Sequence, residues 1–137
     1  MKEIDSKIID SSVEKLLSYA MSSDNITEEY DKYISSINRK LYGFFLEDAC
    51  IGCIGLEFSS LYNAEIKHIA VDPSQRGNKV ASKMVDFVYQ QYLLSTISAE
   101  TDKEAVEFYK RYGFAITSLG EKYPGVERFQ CIYQEKQ

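Results

Sequence analysis

The sequence predicts an α/β fold of the α+β kind: a mixed, mainly antiparallel sheet flanked by helices, in the order β-α-α-β-β-β-α-β-α-β-β. Three observations carry this. Short β-branched and aromatic runs alternate with stretches whose apolar residues recur every three or four positions. Turn-forming and helix-ending residues stand between them, at Asp72-Pro73 and Gly113. Two strand-like runs are separated only by Glu47-Asp48, a spacing that fits an antiparallel hairpin. With 137 residues, the chain is long enough for one core and too short for two, so residues 1–137 are expected to form one domain.

Lys2 to Asp5 is a short first strand. Ser11 and Ser12 are candidate N-caps for a helix through Val13, Leu16, Leu17 and Ala20. The polar break Ser22 to Asn25 precedes a second helix. Glu28 and Glu29 suit the positive end of its dipole, and Tyr30, Tyr33, Ile34 and Ile37 form its apolar face. The tyrosines read as core packing with wet hydroxyls. Leu41–Leu46 and Ala49–Phe58 are the hairpin strands, and Gly52 and Gly55 within the second suggest a bulge or a close approach. After Ser59 to Asn63 comes a β-branched strand through Ile66, Ile69 and Val71, stopped at Asp72-Pro73. The polar loop Ser74 to Asn78 leads into a helix whose face is Ala81, Met84, Val85, Val88 and Tyr92. Thr96–Glu100 is the fifth strand, Asp102–Tyr112 a helix capped by Asp102, and Gly113 its left-handed stop. Phe114–Leu119 and Val126–Tyr133 are strands flanking a loop at residues 120–125.

Composition narrows the function classes. The net charge of −5, without a basic stripe, argues against a nucleic-acid partner. Ala49 to Leu56 is far too short to cross a bilayer, and the N-terminus has no apolar signal core, so we expect a cytoplasmic protein with no membrane partner. Cys50 and Cys53 form a C-x-x-C inside a strand-like run, where residues three apart should point to opposite faces. Buried, reduced thiols are the expectation. A single histidine and no G-x-S-x-G elbow leave a hydrolase triad without support. The same lone histidine and a strand-borne C-x-x-C make no zinc set, and Gly77 opens no Walker loop.

The chemistry centres on Glu65 to Tyr92, where a strand feeds through a basic loop into a helix N-terminus. Unpaired N–H groups of the first turn and the positive end of the helix dipole converge there, and Arg76 and Lys79 add cations. The fitting ligand is a phosphate or pyrophosphate. Arg76-Gly77-Asn78-Lys79-Val80-Ala81, after Val71-Asp72-Pro73, resembles the acyl-CoA-binding segment of the GNAT superfamily of N-acetyltransferases, with Lys79 where that family has its central glycine. Ala105-Val106-Glu107-Phe108-Tyr109-Lys110-Arg111-Tyr112-Gly113-Phe114 resembles the family's downstream Ala-x-x-Phe-Tyr-x-x-x-Gly-Phe, with Asp102 in place of a cofactor-contacting Asn.

That resemblance implies a single acetyltransferase domain using acetyl-CoA as donor co-substrate and acting on a primary amine of a small molecule or peptide, as a monomer or homodimer. It implies cofactor contacts at Ile69, Ala70, Val71, Arg76, Gly77, Asn78, Lys79, Val80, Ala81, Asp102 and Tyr109, with the oxyanion donor a backbone N–H between Ile69 and Val71. A bulge in that strand would free such an N–H. Tyr109 would protonate the leaving sulfur, and Glu65 aligns with a family glutamate that serves as base. His68 is the other candidate base, with an intrinsic pKa suited to the task. Regular alternation puts Glu65 and His68 on opposite faces. Glu121, Tyr123 and Glu127 are candidates for holding a cationic acceptor. The alternatives are an acyl-CoA sensor of the same fold without efficient transfer, and a phosphate-binding interaction module.

Overall fold

The computed structural model describes residues 1–134. The elements are β1 (Lys2–Glu3), α1 (Ser11–Leu17), α2 (Ile26–Ser35), β2 (Arg39–Leu46), β3 (Ala49–Ser60), β4 (Asn63–Val71), α3 (Val80–Gln91), β5 (Thr96–Asp102), α4 (Val106–Tyr112), β6 (Ala115–Tyr123) and β7 (Val126–Gln134). This is the predicted order. The strands form one sheet, β1-β2-β3-β4-β5-β7-β6, antiparallel except between β4 and β5. That one parallel pair follows from α3, the crossover that a parallel connection needs.

Each sheet face carries its own core. On one side α3 and α4 pack Met84, Val85, Val88 and Tyr109 against Ile54, Leu56, Ile66 and Ile97. On the other, α1 and α2 bring Val13, Leu16, Leu17, Tyr30 and Tyr33 onto Leu41, Cys53 and Ala70. Burying each such aliphatic side chain stabilises the fold by about 1.5–3 kcal/mol before entropy is counted. No helix of the described residues is long and apolar enough to cross a membrane.

Two bulges reset the alternation that a regular strand would keep. In β3, Phe44 pairs with Gly52 while Phe45 pairs with Cys50, leaving Ile51 extra. Ile51 therefore packs on the α3 side, and Cys50 and Cys53 meet in the same α1–α2 core. The opposite-face expectation for this C-x-x-C is thus corrected, while its burial as free thiols holds. In β4, Gly55 pairs with His68 and Leu56 with Ile66, so Lys67 is the extra residue. Ile66 still faces α3, but His68 turns to the α2 side, the face that carries Glu65. Glu65 and His68 therefore lie on one face, because two consecutive residues of a bulge oppose a single partner.

Local boundaries differ where side-chain chemistry wins over pattern. Asp10, not Ser11 or Ser12, caps α1, its carboxylate accepting from the Ser12 N–H at 2.8 Å. α2 stops at Ser35, so Ile37 lies beyond it, 98% exposed, and is not part of its apolar face. β5 runs through Asp102, and α4 begins only at Val106. Asp102 still works at this helix start, accepting from the N–H groups of Glu104 and Ala105, both at 3.0 Å. The expected loop at residues 120–125 is instead a long hairpin, with β6 reaching Tyr123 and a turn at Pro124-Gly125. Gly113 ends α4 at φ +122°, as a glycine can.

Candidate active site

β4 and β5 stay paired only from Asn63–Thr96 to Ile66–Ala99. Beyond the Lys67 bulge, β4 continues with β3 as far as Gly52–Val71, and β5 continues with β7 as far as Asp102–Arg128. The two strands therefore part into a wedge-shaped gap in mid-sheet. The Asp72 N–H donates to the Ile51 carbonyl at 2.8 Å. By the alternation of an antiparallel ladder, the Ala70 amide also faces β3. The amides of Ile69 and Val71 then point the other way, into the gap. Of the three residues expected to present a backbone donor, Ile69 and Val71 are so oriented and Ala70 is not.

At its Val71 end the gap opens onto a groove of ≈ 690 Å³ at the start of α3, lined by Arg76, Gly77, Lys79, Val80 and Ala81 together with Phe108, Arg111 and Tyr112 of α4. The backbone here is built to leave amides exposed. Gly77 sits at φ +86° with open space where a Cβ would project. Lys79, at φ 61° and ψ 27°, adopts the left-handed conformation that glycine favours, at a cost of roughly 1 kcal/mol for any other residue. No side chain caps α3, so its first-turn N–H groups remain available to an anion. Arg76 lies over the Tyr19 ring at 5.7 Å. Asn78, exposed and bonded to Gln75 Oε1 at 3.4 Å, lies outside the lining. Arg111, a third cation of the groove, was not singled out by sequence reasoning. Its signal was its place on the helix of the second motif, two residues beyond Tyr109.

Tyr109 is buried at 3% exposure, against Phe108 and Phe114. It shares the α3-side core with Ala99 of the gap's rim, and Ile69 packs on that core. Burial pushes its phenol well above the ordinary value, so it remains protonated. No hydrogen-bond partner reaches the hydroxyl among the described residues. Because no fully buried side-chain oxygen among them lacks a partner, this one must keep some access to solvent. Asp102 has its carboxylate committed to the turn before α4.

Glu65 lies across the sheet from this groove. Its side chain is 41% exposed, with the carboxylate 3.6 Å from Lys67 Nζ, in a smaller groove shared with Ser98, Glu100, Lys122 and Gln130. Tyr109 thus lies on the opposite face of the sheet from Glu65, and outside the lining of the α3 groove. His68 is enclosed: Nδ1 lies 2.6 Å from the Tyr33 hydroxyl and Nε2 3.9 Å from Glu29. Burial holds its pKa below the usual 6.5 despite Glu29. Glu121 accepts from the Gly125 N–H and Glu127 from the Ser118 hydroxyl, so both serve the β6–β7 hairpin, while Tyr123 is exposed. Among the described residues no group of His, Cys, Asp or Glu is placed to hold a metal ion.

Several solved structures share this fold. An aminoglycoside 6'-N-acetyltransferase complexed with coenzyme A superposes with a TM-score of 0.77 at 16% identity, over 98% of this chain and 97% of that one. The aminoglycoside 6'-N-acetyltransferase from Enterococcus faecium gives 0.76, also at 16%, over 98% and 97%. A GNAT family acetyltransferase from Elizabethkingia anophelis with acetyl-CoA bound gives 0.74 at 19%, over 97% and 95%. At these identities the likeness is one of fold. No curated protein matches the sequence significantly. The acetyltransferase (GNAT) domain family, however, matches the sequence itself over residues 39–116, from the first residue of β2 into β6 and so across the gap, the α3 groove and Tyr109. The chain belongs to the GNAT acetyltransferase family.

Proposed function

We propose that residues 1–137 form one N-acetyltransferase domain that transfers the acetyl group of acetyl-CoA directly to a primary amine of a small molecule or peptide. The observation that carries this is the parting of β4 and β5, with the Ile69 and Val71 amides turned into a gap that opens on a cationic groove. The groove suits a pyrophosphate. Arg76, Lys79 and Arg111 supply charge, and Gly77 and the uncapped turn from Val80 and Ala81 supply amides. Acetyl-CoA would bring an acyl group activated as a thioester.

This chain's residues would do the rest. The Ile69 or Val71 N–H, fixed in the sheet, donates to the acyl oxygen where negative charge grows as the amine adds. The protonated Tyr109 phenol donates to the departing sulfur, and its raised pKa keeps it in the acid form. Glu65, on the far side of the gap, receives the ammonium proton directly or through water; an alkylammonium with a pKa of about 10.4 needs such help near neutral pH. Asp102 contributes by setting the start of the helix that carries Tyr109. The acceptor would approach over Glu65, Ser98 and Glu100, where its ammonium would exchange with Lys67, Lys122 and Arg128 for the two carboxylates. Aminoglycosides, the substrates named for two of the similar structures, belong in the first panel of amines.

The test is release of free thiol from acetyl-CoA against that panel, paired with calorimetric titration. Amine-dependent release is the expected result. Binding without release would make the chain an acyl-CoA sensor, and no binding at millimolar acetyl-CoA would end the reading.

A further inference from the structure

We propose that Tyr33 and His68 are positioning residues whose hydrogen bond pins the β4 bulge and thereby decides which backbone amides face the β4–β5 gap. This rests on the acyl-transfer reading for its catalytic consequence, though not for its structural one.

In an unbulged β4, His68 would share a face with Ile66, two residues before it, and its imidazole would point into the core of Met84, Val85 and Leu56. A polar ring there would be buried without a hydrogen-bond partner, which disfavours that register. The extra residue at Lys67 turns it instead to the α2 side, where the Tyr33 hydroxyl meets Nδ1 at 2.6 Å. The meeting needs an empty place in β3. Gly55, the cross-strand partner of His68, provides it: a Cβ on Gly55 would lie 2.0 Å from the Tyr33 oxygen. Thus the bulge, the glycine and the hydrogen bond coincide at one ladder position.

Tyr33 is itself held fast. Arg39, largely buried, binds Glu29 of α2 at 3.1 Å and Glu57 of β3 at 2.7 Å, and its guanidinium lies 5.4 Å from the Tyr33 ring centroid. α2 is therefore tied to the sheet directly beside the phenol. The Glu29 carboxylate beside Nε2 favours the tautomer with its hydrogen there, which leaves Nδ1 to accept from the buried, protonated Tyr33 hydroxyl. Both ring nitrogens of His68 are directed, which fixes the imidazole and, one bond along the chain, the peptide leading to Ile69. A slip that absorbed the bulge would exchange parity along residues 68–71. Ala70 would then present its amide to the gap in place of Ile69 and Val71.

Amide hydrogen exchange on the unliganded full chain tests this without any ligand. In the wild type, Ala70 should be protected and Ile69 and Val71 should exchange at least about 100-fold faster. Tyr33→Phe keeps the ring but not the donor, and His68→Ala removes the acceptor. In both, Ala70 protection should fall at least about tenfold relative to Ile54, whereas His68→Asn, which keeps an acceptor near the place of Nδ1, should stay within about threefold of wild type. Unchanged exchange over residues 67–71 in Tyr33→Phe and His68→Ala would overturn the pin. In acetyl transfer, the first two variants should lose roughly 10- to 100-fold in kcat with KM for acetyl-CoA nearly constant, as expected for a misaimed donor. Altered exchange with unchanged kcat would overturn the positioning role. If the wild type transfers acetyl to no amine, the acyl-transfer reading fails, and the exchange pattern still decides the pin.

Discussion

Gly55→Ala is the substitution whose consequence the packing specifies most sharply. The added Cβ would stand 2.0 Å from the Tyr33 oxygen, 2.3 Å from Cζ and 2.8 Å from Cε1. None of these separations can persist, and Tyr33, 4% exposed, has little room to retreat. The ring must swing away, and three terms follow. Overpacking costs about 1–3 kcal/mol. Losing the buried bond to His68 costs about 1–2 kcal/mol, and loosening the Arg39 contact about 0.5 kcal/mol. Against these, alanine saves about 0.5–1 kcal/mol of unfolded-state entropy. The expected net loss is therefore about 1.5–5 kcal/mol, a large part of the 5–15 kcal/mol typical of a small domain. Urea unfolding followed by circular dichroism measures it. The decisive arm is the double mutant. In a Tyr33→Ala background the obstacle is gone and only the entropy saving remains, so Gly55→Ala should stabilise by about 0.5–1 kcal/mol, a coupling of at least about 2.5 kcal/mol. Additive losses would refute the claim that Gly55 exists to admit Tyr33.

Tyr109→Phe should lower kcat about 100-fold with little change in acetyl-CoA affinity, and full activity with a productive amine would remove the phenol from the acid role. Lys79→Gly trades relief of a left-handed strain against unfolded-state entropy, so stability should change by less than about 0.5 kcal/mol. Acetyl-CoA binding in that variant should weaken about 3- to 10-fold at low salt and less at high salt, by calorimetry; equal affinity at low salt would take the charge out of the site. Because the folded pKa of His68 lies below its unfolded value near 6.5, the unfolded chain binds more protons between the two. Stability should be full above pH 6.5 and decline as pH falls below it through the folded value, and His68→Asn should flatten that decline between pH 7.5 and 5. Glu29, also depressed, acts only below its usual 4.5, and identical slopes in the two proteins would refute the assignment. Cys53, its thiol pushed up to about 12 by burial, and Cys50 should resist disulfide reagents until the protein unfolds; immediate labelling would refute their burial.

Much of the site could be read before folding. The Val71-Asp72-Pro73 stop, the Arg76–Ala81 start of α3 and the Tyr109 spacing are local signals, and each stands in the expected element. Arg39 and Glu57 were less legible. They lie eighteen residues apart and meet only because β2 and β3 pair, and Glu29 reaches Arg39 only because α2 folds back over the sheet. Tyr33 read as core packing, which it is. Its bond to His68, thirty-five residues away, had no trace in helical periodicity.

The sequence by itself determined the order of the elements, the hairpin at Glu47-Asp48, the anion-directed helix start and the family, because these depend on neighbours a few residues apart. Tertiary structure alone decided which face each β3 and β4 residue occupies. One extra residue at Ile51 joined Cys50 to Cys53, and one at Lys67 brought Glu65 and His68 to the same side. A bulge is a property of two paired strands: its position is chosen by whichever register best buries both faces and partners the polar groups, and alternation read along one strand carries no record of that choice.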